Sequence, residues 1–172
     1  MAVDRVPKSL ARRAVEAAAW IEFGCPEHAL LKLERLLEIP GGRPVGLKLS
    51  VSALMELDRF AEAIDALEEL RSFDDDYSWI EVTEAWCRKR SDDLDGAIEC
   101  MERLIAKDRR SSIGHFNLGC YLALRGEHDR AIDEVTIACG LSPSFRSLLA
   151  EESDLDAVRG DPRFTGLLPP ER

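Results

Sequence analysis

The sequence predicts an all-α chain built from four antiparallel helix pairs, and three observations predict it. Four near-copies, EHALLKL from Glu27, AEAIDAL from Ala61, DGAIECM from Asp95 and DRAIDEV from Asp129, align on Ala29, Ala63, Ala97 and Ala131, a spacing of 34 residues held three times. After each alanine, apolar residues recur four and seven positions later, which is one face of a helix: Leu33 and Leu36, Leu67 and Leu70, Met101 and Leu104, Val135 and Ala138. Ahead of each mark stands turn chemistry, and ahead of that another helical segment.

In chain order, the first pair joins a helix over 10–23 to the Ala29 helix through Gly24-Cys25-Pro26. The second joins 45–57 to the Ala63 helix through Leu57-Asp58-Arg59-Phe60, and lacks both a glycine at the position matching Gly119, where Val51 stands, and a closing proline. The third joins 78–90 to the Ala97 helix. Its turn, Arg90-Ser91-Asp92-Asp93-Leu94, leaves room for one extra residue, which would rotate its first helix by about 100°. The fourth joins 113–125 to the Ala131 helix through Gly126-Glu127-His128. Antiparallel helices approach closely only where a side chain is small, and twelve positions before each mark stand Ala17, Val51, Ala85 and Gly119, with Val51 the bulky exception. Residues 1–9 read as an N-terminal arm, and the four units span about 10–43, 44–77, 78–111 and 112–145. Residues 146–172 break the period and read as a capping helix and tail, whose Leu148, Leu149, Leu155, Val158, Phe164, Leu167 and Leu168 would cover the last exposed apolar face.

Composition narrows the class of function. Of 172 residues, 45% are hydrophobic and 33% charged, as in a folded domain, and the formal net charge is -10. Nucleic-acid binding needs a basic footprint that this balance lacks, so Arg12-Arg13 and Arg88-Lys89-Arg90 read as solvated helix surface. No stretch approaches the roughly 20 apolar residues of a membrane span, and the N-terminal residues carry no secretory pattern, so no membrane insertion is expected. Cys25, Cys87, Cys100, Cys120 and Cys139 are odd in number and scattered, which points to a reducing, cytoplasmic setting. They form no CxxC pair and do not cluster with His28, His115 or His128, so no metal is expected.

The units resemble the tetratricopeptide repeat. The fourth does so through Leu118-Gly119, Leu122, Ala131, Ala138 and Pro143, and the first through Ala17, Trp20, Ala29, Leu36 and Pro40. The third departs, with Glu84 and Arg88 where the pattern prefers apolar residues. The resemblance covers about 10–145 and implies a right-handed superhelical solenoid whose first helices line a concave groove. It also implies a protein or peptide partner, no cofactor and no catalysis; the segment DLDAVRGDPRF resembles tails that follow bacterial arrays of this family.

No motif for catalysis competes with that reading: there is no GxSxG elbow, phosphate loop, HExxH or dinucleotide fingerprint. Asp74-Asp75-Asp76 reads as a solvated cap, and His115 and Cys120, five apart on one helix, point different ways. The geometry implied by the resemblance puts Val15 and Ala18 on the groove from the first unit and Lys48, Leu49 and Ser52 from the second. It puts Trp79, Val82 and Trp86 there from the third, and Phe116, Asn117 and Cys120 from the fourth. The set is largely apolar, and Ala14 and Ala18 stand where chaperone-tail clamps of the family carry charge-binding side chains. The expected function is therefore a non-catalytic module that binds an apolar peptide or helix. The alternatives are a small acidic chaperone resembling those of type III secretion, and an enzyme with an unrecognised site. Three occupants of the groove stay open at this level: an external segment, the arm at 2–8, or a twin subunit in a homodimer.

Overall fold

The computed structural model describes residues 8–39, 41–73 and 76–169; residues 1–7 of the expected arm, Pro40, Asp74 and Asp75 lie outside these. Among the described residues the chain is all-α. Its helices are α1 (Lys8–Glu22), α2 (Pro26–Leu37), α3 (Arg43–Glu56), α4 (Phe60–Leu70), α5 (Tyr77–Arg90), α6 (Leu94–Lys107), α7 (Ser112–Arg125), α8 (His128–Leu141) and the single turn α9 (Pro162–Thr165). No helix is long and apolar enough to cross a membrane among the described residues. Two compact units divide the chain, residues 1–80 and 81–172, with the division inside α5.

One turn closes all four helix pairs. The backbone N–H groups of Cys25, Arg59, Asp93 and Glu127 donate to the carbonyls of Trp20, Leu54, Arg88 and Leu122 at 2.8–2.9 Å. The residue before each donor bonds three positions back, to Ile21, Met55, Lys89 and Ala123. This pair of bonds satisfies carbonyls that a helix end leaves orphaned, and it requires a left-handed residue just past the helix. Those residues are Gly24, Asp58, Asp92 and Gly126, with φ of 69°, 53°, 60° and 86°. Aspartate visits this region more readily than bulkier residues do, so Asp58 and Asp92 replace glycine. The third turn therefore holds no extra residue, and α5 is not rotated; the expected shift of register is corrected by its hydrogen bonds. α6 gains a cap as well, because Asp93 Oδ1 accepts from the Gly96 N–H at 3.0 Å.

The small residues sit where the helices nearly touch. Ala17, Ala29, Val51, Ala63, Ala85, Ala97 and Ala131 are all at 0% exposure. At Gly119 a Cβ would lie 2.5 Å from Val135 Cγ2 and 3.0 Å from the Ala131 carbonyl oxygen, so α7 and α8 meet backbone against side chain. In the first unit Leu10, Leu33 and Leu36 close the interior, with Trp20 and Leu49 packed against it. In the second, the tail completes the interior: Leu149, Leu155, Val158, Phe164 and Leu167 are buried beside α7 and α8, whereas Leu148 is 48% exposed.

That tail is not the capping helix expected. It forms two 3-10 turns, Pro143–Ser147 and Ser153–Val158, then α9, because Pro143, Gly160 and Pro162 interrupt any long helix. Arg159 holds it together, donating to the carbonyls of Leu149 (3.0 Å), Ala150 (2.7 Å) and Glu152 (2.8 Å). Arg163 reaches back to Asp129 on α8 at 2.6 Å.

Two outcomes follow from these contacts. Gly119→Ala is expected to cost about 1–3 kcal/mol by overpacking, read as a lower midpoint in urea unfolding. Asp93→Ala is expected to cost about 1 kcal/mol at neutral pH through the lost cap. The Gly96 N–H and then the Arg88 guanidinium hold the Asp93 carboxyl below the usual carboxylate range. Its stabilisation is thus complete above about pH 4 and is lost as pH falls through the lower folded value, so wild type and variant converge in acid.

Candidate functional site

The residues expected on the groove divide between the two units. In the first, Val15 is 69% exposed, while Ala18, Lys48, Leu49, Ser52 and Trp79 are half-buried. Leu49 leans on the apolar interior, and the Ser52 hydroxyl donates back to the Lys48 carbonyl at 3.3 Å. The Lys48 ammonium lies 5.6 Å from the centre of the Trp79 ring, a cation–π distance.

In the second unit the structure brings four expected residues into one cavity of about 290 Å³: Val82 and Trp86 from α5, Asn117 and Cys120 from α7. Trp86 is 38% exposed, with the Arg90 guanidinium 5.5 Å from its ring centre. Asn117 is half-buried and offers an amide with both donors and an acceptor. The remaining lining was not expected: Lys89, Tyr121, Glu152 and Asp154. Lys89 pairs with Asp154, so the tail brings carboxylates to a cavity that the sequence reads as apolar. No local pattern announces Glu152 and Asp154, since their place depends on how the tail folds back onto α7.

One expectation needs correction. Phe116 is not presented to a ligand: it is 5% exposed and stacks on Phe145 of the tail, with ring centres 4.6 Å apart. Cys120 lines the cavity yet is 3% exposed, and burial pushes its thiol well above the usual range, so it remains protonated.

His115 and Cys120 do not converge. His115 lines a separate cavity between α6 and α8, its Nδ1 2.6 Å from Glu134 Oε2 and its Nε2 3.2 Å from the Arg109 carbonyl. Both ring nitrogens are thus engaged by protein oxygens, and Cys120 lines a different cavity.

A further cluster was unforeseen. Glu81, Glu84 and Cys100 are buried with ligand atoms within 4.8 Å of one another. Their charge is answered by protein cations. Arg103 Nη2 lies 2.8 Å from Glu81 Oε2, 3.1 Å from Cys100 Sγ and 3.7 Å from Glu84 Oε1, and Arg88 Nε donates to Glu84 at 2.7 Å. Burial, then Glu84, pushes the Cys100 thiol up to about 12. A metal would have to displace a guanidinium and deprotonate this thiol, so the cluster reads as a structural ion network. Asp76, the described member of the acidic run, accepts from the Trp79 N–H at 3.2 Å and caps α5.

No protein-family model and no curated protein matches the sequence. Solved structures do match its fold. A structure described as MamA protein superposes with a TM-score of 0.72 at 17% identity, covering 94% of this chain and 85% of that one. A second MamA structure has a TM-score of 0.68 at 17% identity, covering 88% and 89%. YrrB, described as a TPR protein with an unusual peptide-binding site, has a TM-score of 0.66 at 13% identity, covering 90% and 80%. The chain thus has a tetratricopeptide-repeat-like fold.

The contrast between two aromatic residues is measurable. Phe116→Ala is expected to cost about 3–5 kcal/mol in denaturant unfolding, as a core truncation does, and Trp86→Ala less than about 1 kcal/mol.

Proposed function

We propose that this protein is a non-catalytic interaction module that binds a peptide segment of another protein, with the α5–α7 cavity as its anchoring point. The convergence of Val82, Trp86, Asn117 and Cys120 in one cavity carries the reading. A half-open indole beside a polar amide suits an extended peptide, which offers an apolar side chain to Trp86 and a backbone amide to Asn117. A volume of about 290 Å³ suits an anchor of one or two side chains rather than a whole small-molecule substrate. The fold shared with YrrB, described as having a peptide-binding site, supports the same class of ligand. All five cysteines are free, in keeping with work in a reducing compartment such as the cytoplasm.

Selection of peptides from a displayed random library on the immobilised protein tests this. The expected result is a family of binders whose affinity falls at least about tenfold in Trp86→Ala and in Asn117→Ala, with melting temperatures little changed. Full affinity in both variants refutes the assigned site. Co-purification from the source cells separates a general adaptor from a chaperone, since a chaperone recovers secreted clients and an adaptor recovers others.

A further inference from the structure

A second surface lies away from that cavity. α2 and α4 flank a trough floored by α3, with a volume of about 700 Å³. Its floor and walls are apolar, including Leu30, Leu37, Leu47, Leu54 and Ala66. Its rim holds five carboxylates, Glu27, Glu34, Glu62, Asp65 and Glu69, against one guanidinium, Arg59. Glu62 is tied to Arg59 and Glu69 to Arg43, and each carboxyl is held below its usual range by that hydrogen bond. Glu27 faces the Arg59 charge without a hydrogen bond to it, and no ion pair holds Glu34 or Asp65 among the described residues.

The floor carries an independent sign of an absent ligand. Ser50, 5% exposed, lines the trough, and its hydroxyl has no hydrogen-bond partner. A buried hydroxyl without a partner costs about 1–3 kcal/mol, so a bound polar group would relieve it.

The second unit supplies an internal comparison. The cavity between α6 and α8 over α7, about 420 Å³, is the same trough two repeats on. At a shift of 68 residues Glu34, Leu37, Leu47, Ser50, Glu62 and Ala66 become Glu102, Ile105, His115, Leu118, Arg130 and Glu134. There Arg130 crosses from α8 to Glu102 on α6 at 3.2 Å, and His115 engages Glu134 at 2.6 Å. The later trough has answered its own charges, and leucine has replaced the lone hydroxyl on its floor. In the first trough carboxylates occupy both walls at these positions, so no such bridge forms.

We infer that the α2–α4 trough binds a basic amphipathic helical segment of a partner protein, its apolar face on the leucines and its lysines or arginines on Glu27, Glu34, Glu62 and Asp65. Arg130 shows the geometry that a guest cation would reproduce, and the Ser50 hydroxyl would accept a hydrogen bond from one that reaches the floor.

The test uses the whole protein and a fluorescein-labelled 14-residue lysine–leucine amphipathic helix, with a glutamate–leucine helix as the negative probe, followed by fluorescence anisotropy. Binding of the lysine probe alone is expected. Affinity should fall about tenfold in Glu34→Gln/Asp65→Asn and about threefold in Ser50→Ala, and by less than about twofold in the charge-matched pair Glu99→Gln/Asp133→Asn. All four acidic positions are exposed, and circular dichroism verifies the fold of each variant. Unchanged affinity in either trough variant, equal loss in the charge-matched pair, or self-association that buries α2 and α4 overturns the inference.

Discussion

Each helix pair depends on how closely two antiparallel helices can approach just after a left-handed turn. Helices of 11 to 15 residues are marginal alone, so their stability has to come from the partner. The turn at Gly24, Asp58, Asp92 and Gly126 sets where the second helix starts, at Pro26, Phe60, Leu94 and His128, always 34 residues apart. Contact of the Gly119 backbone with Val135 is possible only because that start is invariant.

What the sequence revealed, and what it concealed, follows from the range of the forces involved. The alanine marks were legible because each answers a local steric demand that repeats identically. The third turn was misread because Ser91-Asp92-Asp93 looks long when polar residues are counted; the backbone bond from Asp93 to Arg88 shows the same loop closed with aspartate in glycine's place. Val82, Trp86, Asn117 and Cys120 were findable because they occupy equivalent faces of first helices. The burial of Phe116 was not, since it depends on Phe145 from a tail whose apolar residues are evident but whose path is not. The unpartnered Ser50 hydroxyl has no sequence signal, since its burial depends on how α2 and α4 pack over α3.

The two troughs show how a repeat architecture diversifies. The backbone places the same six positions around both, and the residues there either pair with carboxylates, as Arg130 and His115 do, or leave carboxylates in excess, as Glu34 and Glu62 do. Cation–π contacts treat the first-helix face in a comparable way: Lys48 over Trp79 and Arg90 over Trp86 keep two large rings partly covered without burying them.

The charges inside the third pair bear on a hazard peculiar to periodic chains, in which a helix can dock in a neighbour's place at little cost. Glu81 and Glu84 meet Arg103, whose equivalents one period away are Glu69 and Ile137. Were α4 to occupy the berth of α6, a third carboxylate would join two buried ones; were α8 to do so, Glu81 would lose the Arg103 guanidinium, now at 2.8 Å, to a hydrocarbon. Removing one partner from a buried ion pair costs about 3–5 kcal/mol, so either misthreading is penalised far more than a leucine exchanged for a leucine would be. The acidic residues that interrupt the repeat's apolar pattern thus act as an address, assigning α6 alone to α5.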